Sequence, residues 1–120
     1  MKTRLLLVTL VVLSIILATN ITASGQTIAK HRLIVITDIG NEPDDFMSMV
    51  RLMLYTNQID IVGLIVSTSI HQSKKVSPEL IEKIIRSYEK VQPNLQKHEP
   101  GFPAAQKLLS LVKKGLFSTG

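Results

Sequence analysis

The sequence predicts an α/β fold built around a parallel β-sheet. Two apolar runs rich in β-branched residues, "RLIVIT" (32–37) and "IDIVGLIVSTS" (59–69), have the composition of strands buried on both faces. A helical pattern separates them, so the order strand, helix, strand indicates a βαβ unit with a right-handed crossover. These observations together predict a Rossmann-like parallel sheet.

The helix between the two strands is predicted to begin at Asp45 and to end near Thr56 and Asn57. Its sequence, "DFMSMVRLMLYTN", has apolar residues at more positions than one surface stripe requires, which predicts a largely buried helix. Asp44 is its predicted N-cap, because an aspartate there accepts a hydrogen bond from a backbone N–H of the first turn. Gly63 in the second strand predicts a point of close packing.

A second helix is predicted to open at Ser77-Pro78-Glu79, which offers a capping hydroxyl, a proline at the first helical position and an acid in the first turn. Its apolar residues recur at helical spacing as far as Val91. The following "QPNLQKHEPGFP" contains three prolines and a glycine and predicts a loop. A third amphipathic helix is predicted over "AAQKLLSLVKKG", with Gly115 as its stop.

Two strands and three helices would leave both edges of the sheet unpaired. Parallel sheets usually have more strands, with helices covering both faces. We therefore expect the sequence to be the truncated N-terminal part of a longer α/β protein, and we expect this segment to be inactive alone.

Residues 1–24 have the pattern of a secretory signal peptide. Lys2 and Arg4 provide positive charge, and residues 5–18 form an apolar core that is shorter than the roughly 20 residues needed to cross a bilayer. Cleavage is expected near Ala23 or Ser24; the alternative is an uncleaved membrane anchor. The expected mature domain is residues 25–120, secreted or periplasmic, without stable membrane insertion after cleavage.

The composition argues against nucleic-acid binding and against sites built from cysteine. The chain has a net charge of +5, but its basic residues form no continuous run and it has only two Tyr and three Phe, so nucleic-acid binding has little support. The absence of cysteine excludes disulfides and thiolate metal sites.

The segment "TDIGNEPDD" (37–45) directly follows the first predicted strand and holds four of the nine acidic residues. Their mutual repulsion must be offset by solvent, a helix terminus, basic neighbours or a bound cation. Ligands of open α/β sheets bind outside the carboxyl ends of strands, and calcium prefers oxygen ligands. Asp38, Asp44 and Asp45 could therefore supply part of a calcium shell. The alternative is a helix cap for Asp44, a helix-dipole partner for Asp45 and a solvated acid for Glu42.

The stretch "RLIVITDIGNEPDDFMSMVRLMLYTNQIDIVGLIVSTS" resembles the opening of the nucleoside hydrolase-like domain of exported bacterial proteins labelled cellulose-binding. These proteins are relatives of the inosine-uridine nucleoside hydrolases, and the similarity continues through "SPELIEKIIRSYEKVQPNLQKHEPGFPAA". The resemblance implies that Asp38 and Asp45 ligate calcium, that Asp38 acts as base toward the attacking water, and that Asp44 holds a sugar hydroxyl. It implies hydrolysis of an N-glycosidic or related glycosidic bond in a small ribosyl or carbohydrate substrate, or in a polysaccharide.

Three features depart from the Asp-Thr-Asp-Pro-Gly-x-Asp-Asp pattern of ordinary nucleoside hydrolases. Ile36 replaces the first aspartate, two extra residues within 41–43 lengthen the loop, and Thr68-Ser69-Ile70-His71 replaces a Gly-Asn after the second strand. In those enzymes, a later calcium-binding aspartate and a leaving-group histidine lie further downstream than residue 120. The alternatives are therefore a carbohydrate (cellulose)-binding module without hydrolysis, or an unstable fragment without function.

Two further residues are candidate substrate-binding residues. Asn41 lies in the acidic loop, and His71 follows the second strand, where it could contact a substrate. A solvated loop histidine is the alternative for His71. The sequence does not indicate an oligomeric state.

Overall fold

The computed structural model describes residues 29–116, which form a three-stranded parallel sheet and three helices. The elements in chain order are β1 (His31–Thr37), α1 (Pro43–Met53), β2 (Ile59–Val66), α2 (Pro78–His98), α3 (Ala105–Ser110) and β3 (Val112–Lys114). The strands lie in the order β1-β2-β3, and both pairs are parallel. The predicted α/β fold with a parallel sheet is confirmed. The predicted signal peptide lies outside the described residues.

Strands β1 and β2 end side by side at one edge of the sheet. Thr37 pairs with Val66, so the loops that follow the two strands leave the sheet at the same end. Further back, the register shifts, because Leu33 pairs with Ile61 whereas Ile34 pairs with Gly63. Gly63 thus marks an irregularity in the pairing. A Cβ atom there would lie 3.5 Å from Ile34, an ordinary contact, so the predicted close packing at Gly63 is wrong.

Helix α1 begins earlier and is more exposed than the sequence predicts. Its first residue is Pro43, whose fixed φ suits the first helical position, and Glu42 occupies the N-cap position. Asp44 therefore lies within the first turn, and its prediction as N-cap is wrong. Within the described part of the chain, α1 buries only Met49 and Met53. The prediction of a largely buried helix is wrong at Phe46, Met47 and Val50, and at Leu54 directly after the helix, whereas Leu52 is partly buried.

Helix α2 begins as predicted but continues beyond the predicted end. Ser77 is at the N-cap position, although its side chain makes no capping hydrogen bond. The helix includes Pro93 and ends at His98, so residues 92–98 are not a loop. The side-chain amides of Gln92 and Gln96 donate hydrogen bonds to the carbonyl oxygen of Phe102, at 3.4 and 3.0 Å. These contacts tie the end of the helix to the segment that folds back over it.

Strand β3 replaces the second half of the predicted third helix. Helix α3 ends at Ser110, and residues 112–114 pair with β2. The backbone N–H of Leu64 donates to the carbonyl oxygen of Leu111 at 3.0 Å, and that of Gly115 donates to the carbonyl oxygen of Val66 at 2.7 Å. The unpaired edge of β2 therefore offers these residues hydrogen-bond partners that override their helical pattern.

The core lies on one face of the sheet. On that face, Ile61, Leu64 and Val66 of β2 are buried together with residues of all three helices: Met49, Met53, Ile81, Ile84, Ile85, Tyr88, Ala105 and Leu108. On the opposite face, Ile34 and Ile36 are 58% and 67% exposed, so the prediction that β1 is buried on both faces is wrong for the residues the structure describes. In the same region, no helix has the length and hydrophobicity to span a membrane.

Candidate functional site

The acidic loop connects the carboxyl end of β1 to the first turn of α1. Asp38 directly follows the strand and is half-buried, as is Asp45 in the first turn of the helix. Between them, the Ile39 side chain is fully buried and anchors the loop in the core. The next residue, Gly40, has a φ of +111°, which lets the chain turn back toward the helix.

Both acidic side chains line one cleft of about 270 Å³ between β1 and α1. The wall of the cleft is made of Val35, Ile36, Thr37, Asp38, Asp45, Ser48, Met49 and Leu52. It combines carboxylates and hydroxyls with an apolar floor, a combination that suits a small polar ligand. The cleft lies at the carboxyl end of a parallel strand, where open α/β sheets bind their ligands.

The carboxyl group of Asp45 lies in an electrostatically unfavourable environment. Burial is the main cause that raises the pKa of Asp45, and the negative charge of Asp38 is the next. The charges of Asp44 and Glu42, and hydrogen bonding to Asp38, act in the same direction. Negative charge is therefore concentrated at the mouth of the cleft, where a bound cation would relieve it.

Residues after β2 hold Asp38 in place. The Ser69 hydroxyl donates a hydrogen bond to Asp38 Oδ2 at 2.5 Å and accepts hydrogen bonds from the backbone N–H groups of His71 and Gln72, both at 3.1 Å. The Gln72 side-chain amide donates to the carbonyl oxygens of Asp38 and Ile39, at 2.7 and 3.2 Å. The turn formed by residues 69–72 thus fixes both the side chain and the backbone at Asp38.

The structure brings together some of the sequence-predicted residues and leaves others at the surface. Asp38 and Asp45 share the cleft, whereas Asn41, Asp44 and His71 are exposed. The Asp44 Oδ1 atom accepts a hydrogen bond from the backbone N–H of Asp45 at 3.0 Å, so its side chain is engaged in the first turn of α1. The backbone N–H of His71 donates to Ser69 Oγ, which in turn donates to Asp38.

Sequence reasoning did not identify Ser69 and Gln72 as part of the site. A signal was available, because the carboxyl ends of adjacent parallel strands meet at one edge, so polar residues after β2 must face the loop after β1. The topology brings the segment after β2 beside Asp38, and the strand register then selects Ser69 and Gln72 as the residues that bond to it.

The oxygen atoms of the cleft could provide some, but not all, of the ligands of a calcium ion. Asp38 and Asp45 offer carboxylate oxygens of the kind that calcium prefers. Within residues 29–116, however, no group of three or more His, Cys, Asp or Glu side chains is arranged to hold a metal ion. Further oxygen ligands would have to come from backbone, other side chains, water or substrate.

The α/β fold with its parallel sheet is similar to a nucleoside hydrolase-related fold. The family described as "Cellulose-binding Sde182, nucleoside hydrolase-like domain" matches residues 32–120, and the chain belongs to this family. Among solved structures, the chain is similar to a nucleoside hydrolase-related hypothetical protein from Saccharophagus degradans that is associated with carbohydrate metabolism. The two sequences are 33% identical, with a TM-score of 0.69.

The match to that structure covers 72% of this chain but 21% of the other, so this chain spans about a fifth of the length of its structural relative. No curated protein matches the chain.

Proposed function

We propose that Asp38 and Asp45 are calcium ligands in a nucleoside hydrolase-like site that cleaves an N-glycosidic or related glycosidic bond. The observation that carries this proposal is the convergence of the two carboxyl groups in one cleft at the carboxyl end of β1. The family match supports it, because the relatives are described as nucleoside hydrolase-like. The substrate class is a small ribosyl or carbohydrate molecule.

Each residue then has a distinct task. Asp38 accepts a proton from the water that attacks the anomeric carbon, while the bond between that carbon and the leaving group breaks. Asp44, exposed beside the cleft, accepts a hydrogen bond from a sugar hydroxyl, and Asn41 and His71 contact the substrate from the loops. Bound calcium would supply charge that orients the water and the sugar hydroxyls. The remaining ligands of the ion would be oxygen atoms of the backbone, of other side chains, of water or of the substrate.

Calcium titration by calorimetry tests the cation site. We expect the purified protein to bind calcium, and we expect Asp38→Asn and Asp45→Asn each to abolish detectable binding, because each removes a charged oxygen ligand. Both substitutions preserve side-chain size. Circular dichroism before the titration establishes that each variant is folded.

Glu42→Gln is the matched control for this titration. It removes one negative charge from the same loop, and Glu42 is exposed and outside the cleft. We expect its calcium affinity to stay within about threefold of the wild type, because charges near the surface are screened. Equal losses in all three variants would show that calcium responds to the loop's total charge, and would contradict specific ligation by Asp38 and Asp45.

Carbohydrate binding without hydrolysis is the second candidate function. Ile36, two-thirds exposed, lines the cleft where the resembling hydrolases have their first aspartate, and the family is described as cellulose-binding. Two assays distinguish the functions: co-sedimentation with cellulose, and release of free sugar or base from nucleosides and oligosaccharides. Sedimentation with cellulose that is unchanged in Asp38→Asn favours the binding module, whereas release of free sugar or base that is lost in Asp38→Asn favours the hydrolase.

We also propose that the protein is exported with cleavage of residues 1–24. The positive residues followed by an apolar segment support this proposal. Expression of the whole chain in a bacterial host, followed by N-terminal sequencing of the extracytoplasmic product, tests it. A new N-terminus at residue 24 or 25 is expected, and retention of Met1 or membrane association would contradict it.

A further inference from the structure

Ser69 uses its full hydrogen-bonding capacity at the site. A serine hydroxyl has one proton to donate and two lone pairs to accept with. Both acceptor positions are taken by the backbone N–H groups of His71 and Gln72, so the proton is directed to Asp38 Oδ2. The two oxygens lie 2.5 Å apart, at the short end of the range for O–H···O hydrogen bonds.

Gln72 fixes the backbone at Asp38 and at the residue that follows it. Its side-chain amide donates to the carbonyl oxygens of Asp38 and Ile39, while its own backbone N–H donates to the carbonyl oxygen of Ser69 at 3.2 Å. The backbone N–H of Ser69 in turn donates to the carbonyl oxygen of Gln72 at 3.3 Å. These bonds close the turn formed by residues 69–72, and the turn is hydrogen-bonded to both the side chain and the backbone of Asp38.

We propose that Ser69 is a positioning residue that fixes the orientation of the Asp38 carboxylate for cation binding, with Gln72 holding the backbone that carries it. This inference rests on the proposed calcium site. Ser69 itself does not touch the ion; it acts through Asp38. Side chains that orient metal ligands in this way typically contribute about 10- to 100-fold to metal affinity.

Four proteins test the proposal: the wild type, Ser69→Ala, Ser69→Thr and Ser73→Ala. The threonine keeps the hydroxyl, and Ser73 is an exposed serine in the same loop. We expect Ser69→Ala to weaken calcium binding in calorimetry by at least about tenfold. The Ser69→Thr and Ser73→Ala variants are expected to remain within about threefold of the wild type. If Ser69→Ala does not fold, Ser69→Cys replaces it, because the thiol is similar in size but a weak donor.

A second measurement uses the calcium-free protein. The ¹³Cγ chemical shift of Asp38, followed by NMR, reports the hydrogen bond to its carboxyl group directly. We expect this resonance to move in Ser69→Ala and to stay near its wild-type position in Ser69→Thr and Ser73→Ala. A purely structural role for Ser69 would lower the melting temperature and leave the Asp38 resonance in place.

The outcomes separate this inference from the proposed function. Wild-type calcium affinity in Ser69→Ala overturns the inference while leaving the calcium site intact. If the wild type binds no calcium, the proposed function fails together with the role of Ser69 in cation binding. The Asp38 resonance then decides the orienting role alone: a shift confined to Ser69→Ala supports it, and an unmoved resonance overturns it.

Discussion

Gly40 is the residue on which the shape of the acidic loop depends. Its φ of +111° is one that residues with a side chain rarely adopt, and a Cβ atom there would lie 2.8 Å from the Leu80 side chain of α2. We expect Gly40→Ala to lower the free energy of unfolding by about 1–3 kcal/mol, because it adds backbone strain and a steric clash. Urea denaturation of the purified protein measures the change.

Gly63 is the matched control for this substitution. It has no positive φ, and a Cβ atom there would make only an ordinary contact with Ile34. Gly63→Ala is therefore expected to change the stability by less than about 1 kcal/mol. A Gly40→Ala variant as stable as Gly63→Ala would show that the loop adopts another conformation in solution.

The raised pKa of Asp45 gives the stability a defined pH dependence. The folded protein holds the Asp45 proton more tightly than the unfolded chain, whose pKa is near the ordinary value of 3.8. The resulting stabilisation is fully present below pH 3.8 and is lost as pH rises through the higher pKa of the folded state. The side chain introduced by Asp45→Asn does not ionise, so this variant does not lose stability as the pH rises. In calcium-free buffer at pH 7, we therefore expect it to melt at a slightly higher temperature than the wild type.

The comparison requires melting curves of both proteins from pH 3 to pH 7, with a calcium chelator present. The difference is expected to be small, about 1 kcal/mol or less, because Asp45 is only partly buried and solvent screens its neighbours. The two curves should converge toward low pH. A wild type that is the more stable of the two at pH 7 would show that ionised Asp45 has a favourable partner in the folded protein.

At the candidate site, the sequence could predict the two carboxylates but not the hydrogen bonds that hold Asp38. Asp38 and Asp45 could be predicted because a dense acidic segment follows a strand, and that position alone has functional meaning in an α/β sheet. The contribution of Ser69 and Gln72 depends on the register between β1 and β2. No local pattern in the sequence determines that register.

At the scale of elements, the sequence predicted strands and helix ends correctly where tertiary contacts favour the same local structure. The strand signals of β1 and β2 and the Ser77-Pro78-Glu79 helix start were confirmed, because one face of each of these elements packs into the core in agreement with its local propensity. Pro93 and Leu111 are where local signals failed. Packing of Leu95 and the hydrogen bonds to Phe102 keep the helix intact beyond Pro93, and the free edge of β2 recruits the residues after Leu111 into a strand.

The continuation of α2 through Pro93 is testable. Proline lacks the N–H that would bond to the carbonyl oxygen of Glu89, four residues earlier in the helix. Pro93→Ala should restore this bond and raise the free energy of unfolding by about 1 kcal/mol, less than the full helix penalty of proline because the unfolded chain also gains freedom. Pro100→Ala, beyond the helix, is the control, with an expected effect below about 0.5 kcal/mol. Destabilisation by Pro93→Ala would indicate that residues 92–98 leave the helix in solution.

At the scale of the whole molecule, the sheet is covered unevenly. With right-handed crossovers and the strand order β1-β2-β3, successive helices pack on the same face of the sheet. The core residues of β2 and the helices accordingly lie together, while Ile34 and Ile36 are exposed on the other face. Among residues 29–116, one face of β1 is therefore covered and the other is exposed. Its continuous apolar sequence is nevertheless typical of a strand buried on both faces.

Because the sheet is covered on one face, substitutions in neighbouring strands should lower the free energy of unfolding by very different amounts. Leu64→Ala, at a fully buried position, should lower the free energy of unfolding by about 2–5 kcal/mol, because it leaves a cavity. Ile36→Thr should cost less than about 1 kcal/mol, because its side chain is already two-thirds exposed and threonine retains the β-branched shape that suits a strand. Urea denaturation at two protein concentrations tenfold apart measures both. If Ile36→Thr proves as costly as Leu64→Ala and the wild type is more stable at the higher concentration, then association between chains covers this face, because only a contact between molecules makes stability depend on concentration.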